Sequence, residues 1–296
     1  MNYLKIGKKR INLGYIFILP GVLFFLVMMV YPSAYVIWSS FFLSGKGFNM
    51  EPVWQGLTNY IKVTHYTGFS KILKNTFVYA GGCTVFHMGF GLLMALMLNS
   101  SKLNMTYKHL CRMLILVPWA VTPSVVAIVS KLFFHASVGP ISVILKAMGS
   151  SMVFDPLGQP KSAMITCILT NVWKFMPFYF LIILTALQSI DKGLYEAARL
   201  DGATNLDCFF HVTMPQIKNS FLTLMIFDFV INAAYFDITW IMTQGGPMKA
   251  TETLATLAYK TAFQSYKFGE ASSIGVLLFF ISVLFTVIVL RSMNKE

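Results

Sequence analysis

The chain has 296 residues, of which 56% are hydrophobic and only 11% charged, with a mean hydropathy of +0.68 and a formal charge of +12. A soluble domain carries about 25% charged residues, so this composition excludes intrinsic disorder and an ordinary cytosolic enzyme and makes a bilayer the natural solvent. The basic excess does not indicate nucleic acid, because the Lys and Arg stand singly between apolar runs, except for Lys5, Lys8, Lys9 and Arg10 directly before the first run, where they suit positive-inside anchoring.

A helix needs about 20 apolar residues to cross the hydrocarbon core, and six stretches meet that length. After a basic tail over 1–13, the first runs over Gly14–Trp38. It outlasts the apolar region of a secretory signal, and no small-residue cleavage site stands near Tyr31–Ser39, so an uncleaved membrane helix is expected. The second, Leu73–Leu98, carries Gly82 and Gly89 on one face, a spacing that allows close helix packing, and His87, read as a hydrogen-bonded packing residue. Cys111–Phe134 and Ser162–Leu187 follow as third and fourth spans. A loop over 189–218 precedes the fifth, Ser220–Met242, and Ile274–Leu290 is the sixth, with a short tail over 291–296. The expected fold is all-α and integral to the membrane, one six-span domain over 14–290. Lys and Arg are dense in 1–13, 99–112 and 291–296 and sparse in the longer alternate loops, which puts both termini in the cytoplasm. The 189–218 loop then falls on the cytoplasmic side although it is acidic on balance.

Enzyme motifs are missing from the sequence. It has no GxxxxGK[ST], HExxH or GxSxG, and its histidines at 65, 87, 109, 135 and 211 have no ligand spacing. Cys83, Cys111, Cys167 and Cys208 lack CxxC spacing and read as small buried side chains.

The informative stretch is the 189–218 loop, which reads as two short helices. Asp191 can cap the first and Gly202 can end it in a left-handed conformation. Thr204 followed by Asp207 has the form of a capping box for the second, Leu206, Phe209, Phe210 and Val212 give it an apolar edge, and Pro215 is expected to stop it before the fifth span. Ala197 and Ala198 let another surface approach the backbone. Physics alone leaves two readings open, a docking surface or a helix pair lying on its own membrane domain.

Glu196-Ala197-Ala198, three residues, Gly202, nine residues, then Val212-x-Met214-Pro215 resembles the EAA loop of permease subunits of binding-protein-dependent ABC importers. Val212 and Met214 depart conservatively from the family's Ile-x-Leu-Pro. Leu187–Ile190 and Tyr195–Ala203 resemble the carbohydrate-uptake branch in particular. The likeness covers nearly the whole chain: Gly14–Pro20 with Tyr31-Pro32, Gly56-Leu57 with Asn59-Tyr60, Asn75-Thr76, Pro118-Trp119, Trp173, Pro177-Phe178, Phe236-Asp237, and Thr243–Pro247, where the family often has Gly for Gln244. The resemblance implies a type I importer permease whose loop sits in a cleft of a cytoplasmic ATPase. Glu196 would face basic or backbone groups there, Ala197 and Ala198 would allow close contact, Asp201 and Gly202 would form the turn, and Pro215 would close the motif. It also implies a second, related permease, two ATPases that bind ATP and magnesium so that this chain needs no cofactor, and an external or periplasmic solute-binding protein that delivers a carbohydrate.

Ionisable groups inside a span are costly and mark a pathway by default. Lys174 lies in the fourth span, and Asp228 and Asp237 in the fifth. Asp228, Asn232, Tyr235 and Thr239 fall at i, i+4, i+7 and i+11, a single polar stripe at helical spacing. With Trp173, Tyr179 and Tyr235 as aromatic faces for a sugar ring, these are the candidate solute contacts. The competing reading is a buried Lys174–Asp228 pair or an interhelical hydrogen bond that merely fixes packing. A glycerol-phosphate importer is the alternative within the family, and an ion-coupled secondary transporter the alternative outside it.

Overall fold

The computed structural model describes residues 3–6, 9–43, 52–100, 103–150 and 152–293, with side chains from Phe17 onward. The chain forms two compact units, one of Met1–Tyr66 with Ala258–Leu277 and one of Thr67–Leu257 with Leu278–Glu296.

In the first unit, strands β1 (Tyr3–Ile6) and β2 (Lys9–Asn12) pair antiparallel before helix α1 (Leu13–Phe25), a π-helical turn (Leu26–Val30) and α2 (Tyr31–Ser39). The wide turn has a local cause. Pro32 has no N–H and its ring would crowd the carbonyl four residues back; the preceding residue, Tyr31, bonds Leu26 five residues back instead, and the helix passes the proline without a stop. Phe17–Trp38 is exposed throughout and Ser39 at its end is buried, and the exposed side chains are predominantly apolar, as on a helix solvated by lipid. Strands β3 (Phe42–Leu43) and β4 (Val53–Trp54) then pair, and α3 (Thr58–Thr64) follows. Asn59 is fully buried and ties this region together, donating from Nδ2 to the carbonyls of Ser40 and Phe42 at 2.9 Å each.

The second unit is built on two long helices, α4 (Phe69–Asn99) and α8 (Pro160–Gln188), with α5 (Met105–Ala120), α6 (Pro123–Phe133) and α7 (Pro140–Ala147) between them. Most of the apolar window of α8 is buried inside the chain (61%), so it is the internal helix. The apolar side chains gather into two cores along it. One joins Met88, Ala95 and Leu98 of α4 to Phe180, Ile183, Leu184 and Leu187 of α8. The other joins Tyr79 and Cys83 to Cys167, Ile168 and Val172. Backbone closeness decides where α4 meets α8. A Cβ on Gly91 would lie 3.2 Å from the Phe180 nitrogen and one on Gly82 would lie 2.9 Å from Ile168 Cδ1, whereas Gly89 has nothing within 4 Å. The close-packing pair is therefore Gly82 and Gly91 rather than Gly82 and Gly89.

After α8 come α9 (Lys192–Leu200), α10 (Asn205–Asp207), a π-helical turn (Cys208–Thr213), α11 (Met214–Ala233) and α12 (Asp237–Thr243). The C-terminal stretch holds α13 (Leu254–Tyr259), a third π-helical turn (Lys260–Gln264) and α14 (Phe268–Met293). Asn75 donates to the carbonyls of Lys249 and Glu252, and the Leu254 N–H bonds the Thr76 hydroxyl at 2.9 Å, so the Asn-Thr pair opening the second span holds the segment that follows α12.

Among the described residues four helices are long and apolar enough to span unbroken, and up to six spans result when each of two bent pairs counts as one. Those pairs correct two expectations. The third span is not a single rod: α5 and α6 meet at 91° across Val121-Thr122, whose extended backbone (ψ 142° and 145°) follows from Pro123, which disfavours helix in the residue before it. The fifth is bent by 40° at Ala234–Phe236. Pro215 does not end the loop helix either. Helix Asn205–Ala233 runs through it, because the turn over Cys208–Thr213 widens as it does before Pro32, with the Met214 N–H bonded to the Phe209 carbonyl.

Candidate functional site

Two places in the second unit carry chemistry, the 189–218 loop and an aromatic cavity between helices. In the loop, the Asp191 side chain accepts from the Gly193 N–H at 2.9 Å and starts α9. Asp201 caps the other end through its N–H to the Ala197 carbonyl, and Gly202 turns the chain at φ +83°, a region costly for any side chain. Thr204 and Asp207 form the reciprocal capping box, and the Thr204 hydroxyl and N–H hold the Asp207 carboxyl below the usual carboxylate range. The Tyr195 hydroxyl meets Thr213 Oγ1 at 2.9 Å, joining the two loop helices. Glu196, Ala197, Asp201, Gly202 and Pro215 are exposed, and Ala198 is half-buried. Of the apolar edge, Leu206 is 70% exposed and Phe210 62% while Phe209 and Val212 are half-buried, and Leu200 at the end of α9 is 90% exposed. Side chains of that size stand open on a capped, internally hydrogen-bonded helix pair, uncovered by the described residues of the chain.

The cavity is about 190 Å³. Trp119 closes α5 on one wall, Phe175, Phe178 and Tyr179 come from α8, Phe227, Ile231 and Asn232 from α11, and Tyr235 from the bend before α12. Ring stacking orders the walls, with Trp119 on Phe178 at 5.9 Å and Phe175 edge-on to Tyr235 at 5.4 Å. Such faces offer flat apolar contact to a ring, and the polar groups among the lining are few.

Behind this wall lies a buried polar chain. His87 Nδ1 and Asp228 Oδ1 are 3.0 Å apart, both side chains fully buried. The His87 ring stacks on Tyr179 at 4.6 Å. Asn232 donates from Nδ2 to the Asp228 side chain at 2.7 Å and to its carbonyl at 2.9 Å. Asn171 donates to the Tyr79 hydroxyl at 2.9 Å. Helices α4, α8 and α11 are thus cross-linked by polar groups where hydrocarbon offers no alternative partners.

Of the residues singled out from sequence, Asn232, Tyr235 and Tyr179 line the cavity. Asp228 stands one layer behind, paired with His87 and not with Lys174. Lys174 instead donates to the Trp119 carbonyl at 2.6 Å, placing a cation at the C-terminal end of α5 where the break frees carbonyls. Trp173 is 54% exposed and lies outside the cavity lining. The four-residue stripe does not survive as one helical face, because α11 ends at Ala233. Tyr235 sits in the bend and Thr239, fully buried in α12, donates to the Phe236 carbonyl. Sequence reasoning missed Trp119, Phe178 and Phe227 as cavity walls, and aromatic residues are too common in this chain to stand out. It placed His87 among packing residues, and nothing local to position 87 points to Asp228.

Residues 87–295 match the family described as binding-protein-dependent transport system inner membrane component. Over 287 residues, covering 97% of this chain and 95% of the relative, the sequence is 31% identical to the trehalose/maltose transport system permease protein MalF of Thermococcus litoralis. It is 27% identical over 287 residues to the sn-glycerol-3-phosphate transport system permease protein UgpA of Agrobacterium fabrum, covering 96% and 95% of the two chains. Among solved structures it is similar to a bacterial ABC transporter involved in the import of the acidic polysaccharide alginate, with a TM-score of 0.79, 24% identity and 96% of each chain covered. At that identity the likeness is one of fold.

Proposed function

Since the chain belongs to the binding-protein-dependent transport system inner membrane components, we infer that it is the permease subunit of an ABC importer that carries a carbohydrate into the cell. It is a transport component and not an enzyme. The observation that supports a coupled importer most is the 189–218 loop, a capped helix pair whose large apolar side chains face outward and whose second helix is continuous with the fifth span. On this reading α9 and α10 seat in a cytoplasmic ATPase, with Glu196 toward its polar groups, Ala197 and Ala198 at the close approach, and Asp201, Gly202 and Pro215 shaping the turn and exit. Both termini and this loop lie on the cytoplasmic side. Two ATPases bind ATP and magnesium, a related second permease completes the pathway, and an external binding protein delivers the solute. The pathway in this chain comprises the aromatic cavity with Asn232 and Tyr235 at its lining, and Lys174, Asp228 and Thr239 in support. Trp173 faces outward, toward lipid or the second permease.

The two relatives favour different solutes, trehalose or maltose in one name and sn-glycerol 3-phosphate in the other. The sugar reading is preferred on the stacked aromatic walls, and the glycerol phosphate importer is the second reading. The test is a gentle-detergent pull-down of the tagged chain with its co-purifying proteins identified and ATP hydrolysis assayed. A Walker-containing ATPase and a second permease in the eluate are expected, and hydrolysis that rises with loaded binding protein. A lone chain, repeated under crosslinking, would overturn the importer reading.

A further inference from the structure

Sugars and phosphorylated or acidic solutes ask opposite things of a cavity, and the groups behind the wall of this one decide between them. The Asn232 carboxamide faces two acceptors of residue 228, the side-chain Oδ1 at 2.7 Å and the carbonyl at 2.9 Å. Both must be met by N–H, so the amide nitrogen is fixed against Asp228, and its donors are committed there. The carboxamide oxygen is the atom left over on a residue that lines the cavity. Tyr235, also in the lining, has a buried hydroxyl without a hydrogen-bond partner, and an unmet buried hydroxyl is costly until something fills its place. Among the lining residues none is Lys, Arg or His. Lys174, next in sequence to Phe175, holds its ammonium on the Trp119 carbonyl.

We propose that Asp228, held by His87, is a positioning residue that turns the Asn232 carboxamide so the cavity presents an acceptor and a hydroxyl between aromatic faces, and that the cavity therefore takes an uncharged polyhydroxyl ring and rejects phosphate- or carboxylate-bearing solutes. Hydroxyl groups of a neutral sugar can donate to Asn232 Oδ1 and exchange hydrogen bonds with Tyr235, while an anion finds no Lys, Arg or His in the lining, and the nearby Lys174 ammonium, 4.9 Å from the Phe175 ring, is bonded to the Trp119 carbonyl. The proposal rests on the carbohydrate reading above and narrows it.

The test uses the complete transporter in detergent without its external binding protein, so that the membrane cavity alone is sampled. Affinities for trehalose and maltose and for the 6-phosphate and 6-uronate of each are read by saturation-transfer NMR titration, alongside proteoliposome uptake of the same sugars with the binding protein present. The expected result is at least about tenfold tighter binding of a neutral sugar than of its anionic counterpart, a difference of about 1.4 kcal/mol. Tyr235→Phe should weaken the neutral sugar at least about threefold, and because that hydroxyl bonds no protein group its loss removes no contact that folding uses. Asp228→Leu removes the side-chain acceptor that fixes the Asn232 amide, so the carboxamide can turn and neutral affinity should fall while anionic affinity rises and the ratio narrows. A purely structural role would lower both together, and that result overturns the positioning role. Equal or tighter binding of the phosphorylated sugar by the unaltered transporter overturns the charge selectivity while leaving carbohydrate import standing. Uptake of neither kind of sugar overturns the carbohydrate reading and this inference with it.

Discussion

Replacing His87 with Leu removes one partner of a buried ionisable pair. Asp228 is fully buried and accepts from His87 at 3.0 Å and from Asn232 at 2.7 Å. Stranding a buried charge by deleting its partner costs about 3–5 kcal/mol, and the surviving Asn232 bond puts this case at the lower end, about 3 kcal/mol. The stacking of the His87 ring on Tyr179 adds about 0.5–1.5 kcal/mol, part of which the Leu side chain restores by filling the space. For a domain of this size each kcal/mol moves the midpoint by about 2–4 °C, so His87→Leu should melt roughly 6–12 °C below the parent. The assay is thermal unfolding of the purified transporter at a fixed scan rate, for His87→Leu, Asp228→Leu and the double variant. The double variant removes both polar groups, so it should be more stable than the sum of the two singles by about 2 kcal/mol. A drop of less than about 2 °C in His87→Leu, or strict additivity in the cycle, would refute the buried pair.

Gly202→Asp places a side chain at φ +83°, where nothing lies within 4 Å of the new Cβ, so its cost is confined to backbone strain of about 1–2 kcal/mol in an exposed turn. Solute-stimulated ATP hydrolysis should fall sharply while the thermal midpoint moves little; normal coupling would remove the loop from its assigned role. Lys174→Met deletes the ammonium that holds the Trp119 carbonyl at the α5–α6 break, and should destabilise by about 1.5–3 kcal/mol. A blue- or red-shifted Trp119 emission, measured in a background with the other tryptophans replaced by Phe, should accompany it. The Asp207 carboxyl is held below its ordinary value by the Thr204 hydroxyl and N–H. Because the folded value is the depressed one, the capping box stabilises the loop above about pH 4 and loses that contribution as pH falls through the folded value. Amide exchange at Asn205–Asp207, corrected for its intrinsic pH dependence, should therefore quicken in acid for the parent and be fast at neutral pH in Thr204→Ala.

The spans and the loop were legible in the sequence because their determinants are local. Length and apolarity place α4 and α8 within a few residues of their observed ends, and the caps at Asp191 and Thr204 are side chains bonding backbone two or three residues away. The bends were not legible in the same way. Hydropathy is continuous across Cys111–Phe134, and the 91° turn is supported by an ammonium from Lys174, far along the chain. The bend at Ala234–Phe236 contains neither Pro nor Gly. Helical periodicity assumes an unbroken axis, so the stripe from Asp228 to Thr239 failed at the point where the axis changes. The pairing of His87 with Asp228 joins residues 141 positions apart, and only tertiary packing chooses it over Lys174.

Helix Asn205–Ala233 passes Pro215 without interruption. At about 1.5 Å per residue, Leu206 and Asp228 then lie about 33 Å apart along one continuous helix. A tilt of only about 10° about the Leu206 end swings the Asp228 end by roughly 6 Å on that length, about the width of a sugar ring. The leverage comes from the widened turn at Cys208–Thr213. Had the proline stopped the helix, the loop and the cavity wall would be joined by a hinge, and a push on one would be absorbed before it reached the other.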